Sequence, residues 1–303
     1  MHGFANSVVK LGCACLGSLL LINNGWANSS SQLTWANDIP SSIDSGDGSL
    51  FSSSQLSFSS RIQSTEYNQQ RLKVDGSFQM MQFRWQGVEA AQGEYFWLSM
   101  PIAYQQKRSA KQEFHWTLEP GLMTDINTLG FSSLAVNASL FGRSFFSPAQ
   151  FIQYGVIVNR TFGDFNPRPL LAYGTRLTAR SELLIGFPRT SFHTRWSSEF
   201  NTYISMYPDG GVWREEVNLS VAGDPAATPP TLDGSAPTEK SLHYRTYRVG
   251  FGGEFNWQAN IALSAEIGQL RLRQIDATDT SGSEVKAKLN DSGYWRLGAR
   301  MSF

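Results

Sequence analysis

The last twelve residues of the chain, SGYWRLGARMSF (Ser292–Phe303), alternate between two kinds of side chain. Successive side chains of a β-strand point to opposite sides of its sheet, so this stretch would have one apolar and one polar face. Chain ends usually fray unless something holds them. The stretch therefore predicts a final strand that stays embedded to its last residue, with these apolar side chains on one face: Trp295, Leu297, Ala299, Met301 and Phe303.

The same alternation recurs along most of the chain, which is typical of strands and not of helices. Between Phe192 and Ile204 large apolar residues alternate with His193, Arg195 and Glu199. After Ile267 the alternation changes phase at Gly268, which indicates a β-bulge. Thirteen segments follow the pattern, approximately residues 52–63, 71–86, 95–105, 113–123, 132–143, 150–162, 168–177, 182–188, 191–206, 211–221, 242–254, 259–273 and 292–303.

These segments predict an all-β, antiparallel transmembrane β-barrel. An open sheet of this many strands would expose long edges that invite self-association. Many segments reach the roughly 9–11 residues that a tilted membrane-spanning strand needs, whereas soluble sandwich strands average about five or six. Because an even strand number is expected, we predict twelve strands, with ten as the alternative. A periplasmic β-sandwich remains the competing fold.

Three regions are expected along the chain. Residues 1–27 resemble a secretory signal peptide, with Lys10 ahead of a short apolar run and small residues before Ala27. Residues 28–54 are rich in Ser, Asn, Asp and Gly and are expected to form a flexible arm. Residues 55–303 would form the barrel. Both cysteines, Cys13 and Cys15, belong to the predicted signal peptide, so a disulfide in the mature chain is not expected.

Composition argues against several functions. The formal net charge is zero, so no excess of basic residues favours a nucleic-acid partner. The mean hydropathy is −0.27, so the apolar residues are interleaved with polar ones. His115, His193 and His243 are dispersed without the spacing of a metal site. We expect no metal and no cofactor.

The end of the chain resembles the C-terminal assembly signal of Gram-negative outer-membrane β-barrels. That signal combines a polar residue, a glycine, a hydrophobic residue and a terminal aromatic residue, which correspond to Arg296, Gly298, Met301 and Phe303. The stretch from Leu183 to Glu216 is also similar to a family of uncharacterised outer-membrane barrels. The resemblance implies export to the outer membrane, contact with its lipids, recognition by the barrel assembly machinery and a periplasmic C-terminus. The loops at 222–241 and 275–291 would then be extracellular.

The polar face carries charged residues that would line the lumen of such a barrel. They could form a charge-separated constriction that screens solutes by sign, or ion pairs that rigidify a plugged barrel. The candidate lining residues are His193, Arg195, Glu199, Arg214, Glu216, Glu266, Arg271, Arg273, Arg296 and Arg300.

Three functions are compatible with this pattern: a pore for small solutes, a structural or surface-interaction barrel, and an outer-membrane hydrolase that uses His193. We favour the pore. His193 and Ser197 are four residues apart, about 13 Å along a strand, which is too far for the hydrogen bond of a catalytic pair. We therefore assign no catalytic residue.

Overall fold

The structure, a computed structural model, describes residues 30–43, 49–86, 93–125, 131–217, 238–278 and 284–303. The predicted signal peptide, residues 1–27, lies outside this part of the chain. Among the described residues, no helix is both long enough and apolar enough to cross a bilayer.

Nearly all described residues belong to one antiparallel sheet with two short 3-10 turns, η1 (Phe131–Ser133) and η2 (Arg160–Phe162). The strands are β1 (Ser30–Asp38), β2 (Ser41–Ser42), β3 (Leu50–Tyr67), β4 (Gln70–Gln86), β5 (Gly93–Ser99), β6 (Ile102–Ser109), β7 (Gln112–Thr124), β8 (Leu134–Ser147), β9 (Gln150–Val158), β10 (Arg168–Arg176), β11 (Ser181–Phe187), β12 (Thr190–Arg195), β13 (Phe200–Pro208), β14 (Gly211–Val217), β15 (Thr238–Gln258), β16 (Ile261–Thr278), β17 (Glu284–Lys288) and β18 (Ser292–Ser302).

The sheet closes on itself because β1 pairs with both β18 and β3. Four pairs of strands continue each other across a break: β1 with β2, β5 with β6, β13 with β14, and β17 with β18. The ring of described strands therefore has fourteen positions. One end, here called the turn end, carries tight turns such as Tyr67–Gln70 together with Ser30 and Phe303. The opposite end, the loop end, carries the longer connections.

The closed antiparallel barrel agrees with the sequence prediction, but the predicted counts of twelve or ten strands are wrong. The described residues of all thirteen predicted segments belong to the ring, including 52–63 and 182–188, whose patterns are weak. The fourteenth position is β1, within the region predicted as a flexible arm. Residues 30–43 and 49–54 are thus wall and not arm. Only two large apolar residues of β1, Leu33 and Trp35, lie on the outer face. In a Ser-rich stretch they do not produce an alternation strong enough to predict a strand.

Two further details of the pattern differ from the prediction. The segment 191–206 is a hairpin, in which β12 and β13 pair around a turn at 196–199. The phase change in β16 lies at Leu272 and not at Gly268. Leu270 is fully buried inside the ring, whereas Leu272 is 74% exposed and has a φ of 53°. Thr246 lies opposite the extra residue, because the register shifts between its neighbours in β15.

The outer face of the ring is apolar. In β15 the outward side chains run from Val249 to Trp257, nine residues or about 30 Å along the strand. At a strand tilt of about 40° this corresponds to a band about 23 Å tall, close to the roughly 25 Å of outer-membrane barrels. Many neighbours around the ring expose large apolar side chains in the same band, including Leu98, Leu118, Leu140, Leu171, Ile185, Ile204, Phe251, Ile267 and Leu297.

The loop end of the lumen is filled by parts of the wall that fold inward. In the β14–β15 hairpin, β15 stays paired with β16 while β14 folds inward against β7, six ring positions away. The connection from β9 to β10, which contains η2, contacts both β14 and β15. Fourteen strands enclose more space than their own inward side chains fill, since eight strands already suffice for a solid interior. These two segments therefore occupy space that the wall leaves open.

Candidate functional site in the barrel lumen

A buried apolar cluster, called the plug here, spans the lumen towards its loop end. Trp213 of β14 is 1% exposed and packs edge-on against Phe83 of β4, with ring centroids 5.6 Å apart. It also contacts Tyr95 of β5, at 5.5 Å between centroids. Tyr244 of β15 meets Phe83 at 5.3 Å. Since β14 and β15 face β4 and β5 across the ring, these contacts join two opposite walls.

Arg160 reaches into the same plug from η2. Its guanidinium lies 4.7 Å from the Trp97 ring centroid and 5.4 Å from that of Trp213, and it donates a hydrogen bond to Gln79. The Arg160 backbone N–H donates to Oδ1 of Asn137 at 2.9 Å. Burial lowers the pKa of Arg160 to about 10, which leaves the group charged at neutral pH. The arginine links the β9–β10 connection to the opposite wall.

A charged network runs along the inner face of four neighbouring strands, β13, β15, β16 and β18, below the plug. Arg296 of β18 forms an ion pair with Glu266 of β16 and donates to the Tyr207 hydroxyl at 2.7 Å. The Tyr294 hydroxyl donates to Glu266 at 2.6 Å. The guanidinium of Arg248 lies 4.3 Å from the Tyr294 ring centroid.

The network continues to the break between β13 and β14, where Arg248 pairs with the Asp209 carboxylate. Glu266 and Arg248 are 2% and 3% exposed. Removing one partner of a buried ion pair leaves the other charge uncompensated and strongly destabilises a protein. These charges therefore hold one another in place.

A third buried arginine lies near the loop end. Arg273 of β16 has a fully buried side chain, and its Nη2 lies 3.6 Å from Oδ2 of Asp38. Its Nη1 donates to the Asn290 carbonyl at 3.1 Å and also bonds Ser41. Ser53 donates a hydrogen bond to the Asp38 carboxylate. This group ties β1, β3 and β16 together where the ring closes.

Below the plug, the described part of the chain encloses two polar cavities among others. The larger, about 620 Å³, lies at the turn end and is called the vestibule here. The smaller, about 250 Å³, lies beside β1 and β3, with Thr34, Ser57 and Arg248 among its lining residues. Arg296 lines the smaller cavity, and its partner Glu266 lies in register with Tyr203 of the vestibule, with Gly252 of β15 between them. That ion pair therefore lies between the two cavities. The vestibule is lined by Arg176, Ala179, Arg180, Glu182, His193, Thr194, Arg195, Asn201, Tyr203 and Glu254.

The predicted lining residues occupy different environments. His193 and Arg195 lie in the vestibule, and Arg300 joins Glu254 at its edge. Glu199 lies in the exposed turn between β12 and β13. The remaining inward residues are the buried or half-buried Glu266, Arg273 and Arg296.

Three other predicted lining residues do not follow the expected pattern. Arg271 precedes the bulge at Leu272, so it points outward and pairs with Asp291 at the loop-end rim. Arg214 bonds Ser241 within the inward-folded hairpin, on the face opposite Trp213. The side chain of Glu216 lies outside the described residues.

Sequence reasoning missed Arg160, Asp209 and Arg248, which belong to the plug and the charged network. Arg248 alternates with Val249 and Phe251 in β15, so its inward direction was readable from the pattern. Arg160 and Asp209 lie in connections, where alternation carries no information. Their inward position depends on how the connections fold.

The geometry around His193 lacks a catalytic arrangement among the described residues. Its ring stacks on Tyr203, with centroids 5.6 Å apart. Ser197 instead accepts hydrogen bonds from the backbone N–H groups of Glu199 and Phe200, at 3.1 and 3.0 Å. Ser191 is buried and belongs to the same inward ladder, two residues along the strand. A nucleophile would have to lie within about 3 Å of the imidazole.

Comparison with solved structures finds an outer membrane channel, a toluene transporter and an autotransporter domain among the similar chains. An outer membrane channel from Pseudomonas putida F1 is 8% identical, with 92% of this chain and 96% of that chain covered and a TM-score of 0.48. The Pseudomonas putida toluene transporter TodX is 8% identical, with coverages of 91% and 89% and a TM-score of 0.36. The translocator domain of autotransporter NalP from Neisseria meningitidis is 10% identical, with coverages of 100% and 98% and a TM-score of 0.35.

No family model matches the chain, and no curated protein sequence matches it. Identities of 8–10% do not assign a function.

Proposed function

We propose that the protein is an outer-membrane channel for small polar solutes, and that this conformation is closed at the loop end. The observation that carries the proposal is the division of the lumen. Polar cavities of about 620 and 250 Å³ lie below a plug that is built from one inward-folded hairpin and one connection. A barrel that served only as a rigid scaffold would not need a water-accessible lower half.

The membrane location is supported by two features. The apolar outer band has the height of an outer-membrane hydrocarbon core. Met301 in the final strand and Phe303, the residue that follows it, are both more than 40% exposed. Export by residues 1–27 and recognition of the C-terminal residues by the barrel assembly machinery belong to the same proposal. The C-terminus would be periplasmic, so the turn end and its vestibule would face the periplasm.

Movement of the plug would supply the gate. Trp213 and Arg160 belong to the segments that fold inward from the ring, and they meet Phe83 and Trp97 of the opposite wall by side-chain contacts. Such contacts can separate without breaking the hydrogen bonds that close the ring. The Glu266–Arg296 pair would form a second, charged restriction between the two cavities.

The test combines fold and conductance. Purified mature protein, without residues 1–27, is run boiled and unboiled on a gel, and the unboiled sample is expected to migrate faster. Its circular dichroism spectrum should be of the β type. Planar-bilayer recordings should then show discrete conductance steps, rare in the native protein and frequent when the plug is weakened. Protein that is soluble without detergent would refute the membrane location. A folded barrel that stays electrically silent after the plug is weakened would refute the channel.

A further inference from the structure

The vestibule carries more positive than negative charge. Three arginines and two glutamates line it. Arg176 lies 3.4 Å from Glu182, and Glu254 lies 2.7 Å from Arg300 on β18. Both carboxylates are therefore neutralised by a cation. Arg180 and Arg195 have no acidic partner within the part of the chain that the structure describes.

These two arginines are held next to each other by backbone contacts. The Arg195 N–H donates to the Arg180 carbonyl at 2.8 Å. The turn that carries Arg180 is fixed by Thr178, whose hydroxyl accepts hydrogen bonds from the N–H groups of Arg180 and Ser181 at 3.1 and 3.0 Å. The two positions are thus set by the ends of neighbouring hairpins before any ligand arrives, which lowers the entropic cost of binding.

We propose that the vestibule selects and transiently binds small anions with a carboxylate or phosphate group, through the guanidinium groups of Arg180 and Arg195. A guanidinium offers a planar fork of N–H donors that matches such oxyanions. The inference rests on the proposed channel function for its role in transport, although binding itself does not need an open channel.

The remainder of the vestibule suits an organic anion. His193 and Tyr203 both line the vestibule and stack on each other with an angle of 29° between their planes, so they add aromatic surface to it. Asn201 lies directly opposite Arg195 in the sheet and adds a neutral amide. The volume of about 620 Å³ lies within the roughly 300–1,000 Å³ of small-molecule sites. One metabolite-sized anion would fit.

The first test measures binding without transport. Isothermal titration of the detergent-purified mature protein with inorganic phosphate at neutral pH should show saturable binding. The double variant Arg180→Ala/Arg195→Ala should bind about tenfold more weakly or worse. Arg271→Ala, which removes an outward arginine at the other end of the barrel, should match the native protein. Equal affinity in all three proteins, or no binding to the native protein, would overturn the proposal.

The second test measures selectivity in a potassium chloride gradient across a planar bilayer. The Trp213→Ala protein should pass chloride in preference to potassium. Adding Arg180→Ala/Arg195→Ala to it should shift the reversal potential towards the equilibrium potential of potassium. Arg180→Lys/Arg195→Lys keeps the charge, so it should keep the anion preference while binding phosphate more weakly. Phosphate binding in a silent barrel would refute the channel but support the site. Conductance without anion preference or phosphate binding would refute the site alone.

Discussion

Trp213 is expected to control whether the barrel conducts. The side chain is 1% exposed and contacts Phe83 and Tyr95 of the opposite wall together with Arg160. A tryptophan buries about 150–250 Å², worth roughly 4–6 kcal/mol at about 25 cal/mol per Å². Replacements of buried aromatics by alanine typically cost about 3–5 kcal/mol. We therefore expect Trp213→Ala to weaken the closed plug by about 4 kcal/mol.

That energy changes the population of open channels. About 4 kcal/mol corresponds to nearly a thousandfold change in an equilibrium constant. If the closed form is favoured by a similar amount, the open fraction rises from about 0.1% to about one half. Single-channel recordings should show this as a large rise in open probability at unchanged conductance per step.

The matched control is Trp257→Ala, which removes the same side chain from the outer face, where it is 63% exposed. It should leave the open probability unchanged. Phe83→Ala should act like Trp213→Ala, and the two changes together should be less than additive because they remove one contact. A Trp213→Ala protein that migrates as a folded barrel but conducts no more often than the native protein would refute the reasoning.

Three further changes test the lumen, the outer face and the chain end. Glu266→Gln leaves Arg296 without its buried partner and should lower the free energy of unfolding by about 3 kcal/mol. Glu254→Gln, at an exposed ion pair, should lower it by at most about 1 kcal/mol. Equal denaturation midpoints for the two variants would contradict this effect of burial. Ile267→Arg places a charge in the outer apolar band and should lower the stability of the barrel by about 2–4 kcal/mol. Thr34→Arg, on the inward face, should leave it nearly unchanged. For both variants the measurement is the fraction of unboiled protein that runs as a folded barrel on a gel. Deletion of Phe303 should reduce the amount of assembled protein in outer-membrane fractions and Phe303→Tyr should not; equal yields would argue against a role for the terminal aromatic residue.

The all-β fold class could be predicted from the sequence, because in a closed sheet every second residue of a strand faces the same side. In β18, β15 and most other strands, one face had to be apolar and the other polar, and that demand is visible in the order of residues alone. The same rule placed His193, Arg195, Glu266 and Arg296 on the inward side. Arg271 shows where it stops working. A single residue with positive φ at Leu272 reverses the two faces, and the position of that bulge depends on the partner strand.

Tertiary structure alone decided the strand number and the closed lumen. β1 has few large apolar residues, and it is a strand because β18 and β3 offer it hydrogen-bonding edges on both sides. The plug depends on contacts between residues far apart in sequence, such as Arg160 with Gln79 and Trp213 with Phe83. Local alternation carries no record of such long-range contacts, because each partner only has to be buried. Which pairs meet across the lumen is set by the width of the ring and by the segments that fold into it.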